Sequence, residues 1–411
     1  MSWKKYNPRR NNKQNLNYSC PIASKTVNRM DFNLPNDVFS IKELTEEFSK
    51  REIEPNAKKI EKEPTMVKDI LTKMGKFGLL GITIPEKFGG AGLDYLTFGV
   101  IVEEIAYHSA SLALSYGGHS NLVLDNIYRN GTEGQREEFA RKLALGEWIG
   151  SLCLTEPGAG SDAIGGMTTS YRKTGNRFII NGSKMFITNA PIADVFLVYA
   201  RESSNYSAFI LRREDGVQTP GLIDKMGMRG SPTGEVVFRD VEVDRDRILG
   251  EEGGGKRVIY EGLNAERATM AFLPLGIARR AMDEAVVYAK KRKQFGKPIS
   301  DYQLIQEKIA YMFTRLEAAK LLAYKAIILA QDKVSDPKYA AASIMLASET
   351  AIQIAKDAVQ ILGGYGYTTD FPVERLLRDS VIGEIAAGTT EIRKLVIARS
   401  VIESYKDEMT K

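Results

Sequence analysis

The stretch Ser151–Asp162 reads SLCLTEPGAGSD and marks the point where the sequence changes character. Its first residues alternate as those of a half-buried strand do. It then turns through Pro157, Gly158 and Gly160. Because proline fixes φ and glycine permits positive φ, backbone N–H groups can converge there and suit a ligand rich in carbonyls or phosphates. Most Gly-rich turns bind nothing, so this stretch alone leaves both interpretations open.

The sequence around this stretch divides into four segments. Residues 38–146 carry apolar side chains at helical spacing, residues 147–253 read as short strands between turn signals, and residues 254–405 return to helical spacing. Residues 1–37 form a basic tail. The pattern predicts an N-terminal α-helical domain, a small middle β-sandwich or barrel domain and a C-terminal α-helical domain, an α+β architecture.

Local signals refine this outline. Thr132 with Gln135 three residues later predicts a capping box at a helix start. Thr174-Gly175-Asn176 and Asn181-Gly182 predict two hairpin turns in the β region. Pro274, inside a long helical pattern, removes the backbone bond to Met270 and predicts a kink.

Positive charge is concentrated at the N-terminus. Residues 1–30 hold seven Lys or Arg and no acid, which leaves 50 basic against 52 acidic side chains in the other 381 residues. The net charge of +5 therefore describes a tail, and no nucleic-acid partner is implied. The tail is Asn-rich and poor in aliphatic residues, which predicts disorder. It lacks an amphipathic apolar face, which favours a cytoplasmic protein; a mitochondrial matrix protein with a transit peptide, or a true start at Met30, are the alternatives.

Cysteine, histidine and hydropathy exclude further classes. Cys20 and Cys153 are far apart and unpatterned, which fits a reducing compartment. His108 and His119 have no ligand spacing with other residues, so no metal site is predicted. No apolar run approaches the roughly 18 residues of a membrane span, so no membrane insertion is expected.

Several motifs in sequence order resemble the acyl-CoA dehydrogenase family, and the resemblance covers about residues 38–403. Besides LTEPGAGSD they are NGSKMFITNA (181–190), ERxxxA (266–271), RKQFGKPI (292–299), QILGGYGYTTDFPVERLLRD (360–379) and AGTTEIRKLVIAR (387–399). The resemblance implies the family's three-domain fold with a C-terminal four-helix bundle. It also implies an FAD enzyme, usually a homotetramer, that oxidises an acyl-CoA thioester at Cα–Cβ to a trans-2-enoyl-CoA and passes electrons to electron-transfer flavoprotein.

The implied reaction needs a base for the weakly acidic α-proton, and a carboxylate in an apolar pocket suits this work. In most of the family the base directly precedes the Gly-Thr of the C-terminal motif, where this chain has Ala387. A minority branch places the base on the long helix of the third domain, and its counterpart here is Glu266. An exposed helix acid is the ordinary interpretation of a Glu; the absence of an acid at Ala387 favours catalysis by Glu266. Glu384 is a weaker candidate and is interpreted as structural.

The resemblance also implies an FAD site shared between subunits. One group of residues would rest against the flavin: Leu152, Cys153, Leu154, Thr155, Gly160, Ser161, Phe186, Ile187 and Thr188. In the partner subunit, Arg292 and Gln303 would hold the pyrophosphate and adenine. The adenosine side would be completed by Gln360, Gly363, Gly364, Thr389, Thr390 and Glu391, and Phe295 is a further cofactor-binding residue that the resemblance implies. Taken one by one, Arg292 is an ordinary surface charge and Gly363-Gly364 an ordinary helix end.

The thioester and the CoA arm need their own contacts. In this family a backbone N–H at the Ala387 position polarises the thioester carbonyl together with a ribityl hydroxyl of FAD. The resemblance assigns further substrate contacts to Ser161, Arg257, Asn264, Ala265, Glu266, Arg267 and Gly388. Asn264 stands where many relatives carry Asp.

Three segments, Leu112–Arg129, Leu263–Gly276 and Glu384–Glu391, are closer to the isovaleryl-CoA branch than to straight-chain members. Ala386 stands where straight-chain enzymes often carry Tyr, so the pocket near Cβ–Cγ should be wider; simple helix packing is the alternative explanation. Other short or medium-chain and 2-methyl-branched acyl-CoAs remain open as substrates. A non-catalytic flavin- and CoA-binding relative and an oxygen-using oxidase are the alternatives of another class, although family oxidases are usually longer.

Overall fold

The computed structural model describes residues 34–331 and 336–409, without the side chains of residues 264–265 and 406–409. Residues 1–33, most of the tail for which disorder is predicted, therefore lie outside the described residues. Residues 36 and 37, placed in the tail by the sequence, open the first helix. The predicted substrate contacts of the Asn264 and Ala265 side chains also lie outside the described part.

Helices precede the sheet along the chain. Within the described residues the α-helices of this part are α1 (Asn36–Phe48), α2 (Ala57–Lys62), α3 (Val67–Lys76), α4 (Tyr95–His108), α5 (Ala110–Gly117), α6 (Asn126–Asn130), α7 (Glu133–Gln135) and α8 (Arg141–Ala144). The Thr132 hydroxyl accepts the Gln135 N–H at 3.2 Å, and the Gln135 side chain accepts the Thr132 N–H at 3.0 Å. The predicted capping box is confirmed.

The middle of the chain forms one nearly closed sheet of six strands. Its strands are β1 (Gly150–Cys153), β2 (Ser170–Thr174), β3 (Arg177–Thr188), β4 (Val195–Glu202), β5 (Asn205–Arg212) and β6 (Thr233–Asp244). They lie in the order β1-β4-β2-β3-β6, with β5 also paired to β4. β1 runs parallel to β4, and β2–β3 is a hairpin. Its two-residue loop, Gly175-Asn176, is the one that the sequence predicted.

The second predicted hairpin, at Asn181-Gly182, is wrong. β3 runs through these residues without a break and pairs with β6, with a register shift between Ile180 and Gly182. Gly182 lies against Thr169, and a Cβ added to it would come within 2.7 Å of the Thr169 Cα. The glycine is therefore required by a close backbone approach at a bulge rather than by a turn.

Helices follow the sheet to the end of the described residues. They are α9 (Gly255–Met270), α10 (Phe272–Lys291), α11 (Gln303–Gln331), α12 (Pro337–Leu362), α13 (Val373–Ser380) and α14 (Thr390–Met409), with a small ribbon of β7 (Lys293–Gln294) and β8 (Lys297–Pro298) between α10 and α11. α10, α11 and α12 pack on one another, and α14 packs on α12. The helix is interrupted at Ala271 between α9 and α10, although Ala271 keeps helical dihedral angles (φ −60°, ψ −24°). Pro274 has no N–H for the Met270 carbonyl, which weakens the helix at this point, and a kink here stays a prediction.

Buried apolar side chains join the two helical parts into one core. This core runs from α1, α3 and α4 through α10 to α12, and separate apolar clusters fill the sheet. The predicted fold class, helical parts on both sides of a small β part, is confirmed. Within residues 34–331 and 336–409, no helix combines the length and the apolarity that a bilayer crossing requires.

Candidate functional site

Glu266 is enclosed in the protein interior. It lies on α9 with 9% of its surface exposed. Among the described residues, none donates a hydrogen bond to its carboxylate or pairs with it. Burial raises the pKa of Glu266 to about 7, although the charges of Arg267 and Arg393 act to lower it. A buried carboxylate whose pKa lies near neutrality is suited to take up a proton from a weak acid.

A turn between α13 and α14 approaches α9 beside Glu266. Ala387 in this turn has φ of 57° and Gly388 has φ of 93°. The Arg267 Nε donates to the Ala387 carbonyl at 3.5 Å. The Ala387 N–H donates to no backbone carbonyl among the described residues. It is therefore available to an oxygen that develops negative charge.

Arg393 on α14 lies behind this turn and is 2% exposed. Its Nη1 donates to the Gly383 carbonyl at 2.7 Å, and its Nη2 donates to the Ala386 carbonyl. Burial, together with the like charge of Arg267, lowers the pKa of Arg393 to about 10. The sequence did not single out this residue, because charged side chains on helices are usually solvated. Its place within AGTTEIRK was the one available signal.

A buried ion pair fastens β1 and the Gly-rich turn to β3. The Lys184 Nζ contacts the Glu156 carboxylate at 2.9 Å and donates to the Leu154 carbonyl at 3.1 Å. The Thr168 and Thr169 N–H groups donate to the same carboxylate at 2.6 and 2.9 Å. Burial acts to raise the pKa of Glu156, but these hydrogen bonds and the Lys184 charge lower it to about 2. Sequence reasoning missed the pair, although both residues stand within the quoted motifs.

The residues predicted to contact the flavin from β1 and the turn differ in exposure. Cys153 is fully buried within the sheet, and burial raises the pKa of its thiol to about 12. Its side chain faces the core, so any ligand contact there would use its backbone. Leu154 is also buried. The others are half-buried (Leu152, Thr155) or exposed (Gly160, Ser161).

Phe186 projects from β3 at the second register shift of that strand. Its φ is 60° and it is 63% exposed. Ile187 beside it is buried, and the half-buried Thr188 accepts a hydrogen bond from Ser151 Oγ at 2.6 Å through its carbonyl. An exposed ring held at an unfavourable φ is typical of a ligand site. The ring offers a flat apolar surface of the kind a planar flavin stacks on, so these residues fit the implied cofactor.

A second group of predicted FAD residues lines a cavity of about 590 Å³. Arg292, Gly363 and Gly364 are among its walls, and the Arg292 guanidinium lies 6.0 Å from the ring centre of Tyr365. No described residue that lines this cavity belongs to β1 or β3. The structure therefore brings the predicted FAD residues together in two sets rather than one. Phe295, with 95% of its surface exposed, Gln303 and Gln360 are also exposed on the helices and ribbon around it.

The remaining predicted residues lie at helix starts. Thr389 accepts the Ile392 N–H at 3.4 Å where α14 begins, Thr390 is buried, and Glu391 is exposed. Hydrogen bonds from its own N–H and from Thr389 lower the pKa of Glu391. Arg257, in the first turn of α9, has a side chain that is 59% exposed and lies 3.6 Å from Glu261. Its exposed guanidinium is available to an anion.

Comparison with known proteins gives one consistent result. The chain matches the family descriptions "Acyl-CoA dehydrogenase, N-terminal domain" over residues 37–147, "middle domain" over residues 151–241 and "C-terminal domain" over residues 253–402.

Individual relatives cover nearly the whole chain. Isovaleryl-CoA dehydrogenase, mitochondrial, of Arabidopsis thaliana is 42% identical over 375 residues, which are 89% of this chain and 91% of that protein. 2-Methylacyl-CoA dehydrogenase, mitochondrial, of Solanum tuberosum is 42% identical over 370 residues, 88% of this chain and 90% of that protein. The crystal structure of an acyl-CoA dehydrogenase complexed with FAD from Bacillus anthracis is 32% identical with a TM-score of 0.87, covering 91% of this chain and 68% of that one.

Proposed function

This chain belongs to the acyl-CoA dehydrogenase family of FAD-dependent oxidoreductases, and we propose that its substrate is a short branched-chain acyl-CoA, with isovaleryl-CoA favoured. The product would be the 2-enoyl-CoA. The observation that carries the proposal is the buried Glu266 beside the Ala387 turn. An isovaleryl-CoA dehydrogenase would belong to leucine catabolism; other family members serve fatty acid metabolism.

Glu266 is the proposed base. Its burial keeps water away and raises its pKa to about 7, so that the carboxylate is partly ionised at neutral pH and has a high proton affinity. The α-proton passes to the Glu266 carboxylate, the electron pair of the Cα–H bond forms the Cα=Cβ bond, and a hydride leaves Cβ. FAD, when bound, supplies the acceptor for that hydride.

The Ala387 N–H is the proposed donor to the thioester oxygen. It has no acceptor among the described backbone carbonyls, and α-proton loss places negative charge on that oxygen. Because the donor is a backbone group, the loss of the acidic side chain at this position does not remove it. The Arg267 bond to the Ala387 carbonyl supports the turn from the α9 side.

Two subunits are proposed to share each FAD. Phe186, Thr188 and the turn that ends at Ser161 would hold the flavin of one subunit, while Arg292 and the Gly363-Gly364 end of α12 would hold the pyrophosphate and adenosine from the partner. The separation of these two sets in a single chain supports this division. Exposed apolar side chains on the outer helices would be covered in the proposed homotetramer: Leu304, Tyr311, Phe313 and Leu321 on α11, and Leu395, Ile402 and Tyr405 on α14.

Met270 and Ala386 support the proposal of a branched substrate. Met270 lies one turn after Glu266 and thus on the same helix face. Its Sδ lies 2.9 Å from where a Cβ on Gly117 would be, so the glycine makes room for the methionine. Ala386, in the turn between α13 and α14, has only a methyl side chain and so would leave the acyl pocket wide. A Met and an Ala would enclose a short, wide acyl chain.

An acyl-CoA panel tests this proposal. The purified holoenzyme would be assayed with isovaleryl-, 2-methylbutyryl-, isobutyryl- and octanoyl-CoA, with electron-transfer flavoprotein, the proposed partner, or an artificial dye as acceptor. Isovaleryl-CoA should give the highest kcat/KM. If octanoyl-CoA is better, the assignment to a branched chain is wrong. If no acyl-CoA reduces the bound FAD, the chain is a non-catalytic flavin- and CoA-binding relative.

The compartment is a separate proposal. The acid-free basic tail without an apolar face favours the cytoplasm, whereas the two relatives with 42% identity are named as mitochondrial. The mass and N-terminal sequence of the protein purified from its own cells decide between them. Cleavage near residue 30 would indicate a transit peptide and exclude the cytoplasmic proposal.

A further inference from the structure

Arg393 is a cation that lies buried behind the Ala387 turn. It is 2% exposed, and no carboxylate of a described residue lies within ion-pair distance of it. Its Nε is buried without any hydrogen-bond partner among the described residues. A buried, unpaired charge costs several kcal/mol in general, so a residue that only filled space here would be better apolar. The free-energy cost of burying this charge indicates that Arg393 has a function beyond packing.

The bonds that Arg393 makes are confined to one turn. Its Nη1 donates to the Gly383 carbonyl at 2.7 Å and its Nη2 to the Ala386 carbonyl. The Ser348 Oγ also donates to the Gly383 carbonyl, at 2.9 Å, so this carbonyl is held from two sides. The Ala386 carbonyl has no such second support among the described hydrogen bonds, and its orientation therefore depends on the arginine.

The Ala386 carbonyl and the Ala387 N–H belong to the same peptide unit. Because the unit is planar and trans, fixing its C=O fixes the direction of its N–H, which points the opposite way. A guanidinium bound to the oxygen also draws electron density from the amide, which makes the N–H a stronger donor. Ala387 needs such help, because its φ of 57° is unfavourable for a residue with a Cβ.

We propose that Arg393 is a positioning residue of the dehydrogenation: it fixes and polarises the Ala386–Ala387 peptide, whose N–H meets the thioester oxygen, and places a positive charge near Glu266. This inference rests on the proposed function. It assigns Arg393 two separable effects, one that needs the forked shape of the guanidinium and one that needs only its charge.

The charges around the pair define the expected pH behaviour. Arg267 on α9 and Arg393 on α14 both lower the pKa of Glu266. The pKa of Arg393 in turn depends on the charges of four residues: Arg267, Glu266, Glu384 and Glu391. Removing the Arg393 charge should therefore raise the pKa of Glu266. The acid limb of kcat/KM, which reports the ionisation of the base in the free enzyme, should move to higher pH.

Two substitutions separate the effects. Arg393→Lys keeps the charge but cannot bind both carbonyls; kcat should fall about tenfold to a hundredfold with the acid limb in place. Arg393→Met removes both effects. Its kcat should fall as far as that of Arg393→Lys, and the acid limb of its kcat/KM profile should move to higher pH by about one unit, the usual scale for a neighbouring charge. The matched control is Lys394→Met, which removes an exposed charge from the next residue of α14 and should change neither quantity.

A readout besides turnover distinguishes positioning from simple structural support. A thioether analogue of the substrate has no carbonyl oxygen, so its affinity should be equal in the wild type and both variants, and FAD per chain should be unchanged. The inference is overturned if Arg393→Met leaves the acid limb in place, or if thioether binding falls in step with kcat. If Arg393→Met does not fold, the Arg393→Lys variant is a sufficient test, and a wild-type kcat in that variant overturns the inference. A wild type that oxidises no acyl-CoA contradicts the proposed function instead.

Discussion

Glu266→Gln should abolish dehydrogenation and leave the folded flavoprotein intact. Glutamine has nearly the same volume, and the carboxylate that it replaces has no hydrogen-bond partner among the described residues, so few contacts are lost. A positioned general base contributes roughly 10²–10⁴-fold to a proton transfer. We therefore expect kcat with isovaleryl-CoA to fall at least a hundredfold while FAD per chain stays at the wild-type value.

The same substitution should stabilise the protein above neutral pH. Burial raises the pKa of Glu266 from 4.5 to about 7 in the folded chain, so between these values the folded state binds the proton more tightly than the unfolded state does. Its favourable contribution to folding is complete below about pH 4.5 and is lost as the pH rises through about 7. Across this range the free energy of unfolding falls by about 3 kcal/mol, because the folded state has to bury an ionised carboxylate. Gln cannot ionise, so the melting temperature of Glu266→Gln should exceed that of the wild type at pH 8, and by a smaller margin at pH 6.

Three measurements check this prediction: turnover with isovaleryl-CoA, FAD per chain by absorbance, and thermal unfolding at pH 6 and pH 8. Wild-type kcat/KM should also be about tenfold lower at pH 6 than at pH 9, because about a tenth of a group with pKa near 7 is ionised at pH 6. Glu384→Gln is the control, since Glu384 is the other acid near the turn; its turnover should stay close to wild type. Near wild-type turnover in Glu266→Gln, or the loss of activity in Glu384→Gln alone, would refute the assignment.

Three further predictions concern the ligand-binding framework. Glu156→Gln should lower the melting temperature of the holoenzyme, because it leaves the Lys184 ammonium buried without its partner at a cost of about 3–5 kcal/mol. The double variant Glu156→Gln with Lys184→Met should recover part of the loss. An unchanged melting temperature in Glu156→Gln would contradict a stabilising role for this ion pair. Phe186→Ala should reduce the FAD retained after gel filtration without destabilising the apo-chain, whereas Phe186→Trp should retain it; equal retention in both argues against flavin stacking. Arg292→Ala should release FAD and Lys293→Ala beside it should not, as judged by absorbance per chain; equal losses would indicate a general effect of the ribbon.

Signals that depend on a few neighbouring residues were read correctly from the sequence. The capping box at Thr132 and the loop at Gly175-Asn176 are set by side chains and φ values within four residues. The helix weakens where Pro274 has no N–H, at the interruption between α9 and α10. The turn prediction at Asn181-Gly182 failed because of a long-range constraint. β3 pairs with β6 on both sides of Asn181, with a register shift between Ile180 and Gly182, and that ladder overrides the local turn preference.

Burial of charge could not be predicted from the sequence. Arg393, Glu156 and Lys184 stand in segments whose other charges are solvated, and only the three-dimensional structure shows that these three are not. The predicted site residues were found through motifs. The residues that hold them in place stand in the same motifs, but nothing in the sequence marks their charges as buried. Glu156 and Lys184 fasten strands that are distant in sequence, and Arg393 fastens a turn that begins ten residues before it.

The burial of the proposed base explains why two arginines act on it. Full burial of a carboxylate in an apolar site can raise its pKa by several units, which would leave it protonated and inactive at neutral pH. Exposure would keep it ionised but would make it a weak base and admit water. Glu266 avoids both outcomes because the charges of Arg267 and Arg393 oppose the effect of burial and leave the pKa at about 7. Since the same two guanidinium groups bind the carbonyls of Ala387 and Ala386, one pair of side chains acts on both the base and the proposed oxyanion donor. A substitution that removes the guanidinium and its charge from either arginine should therefore disturb both.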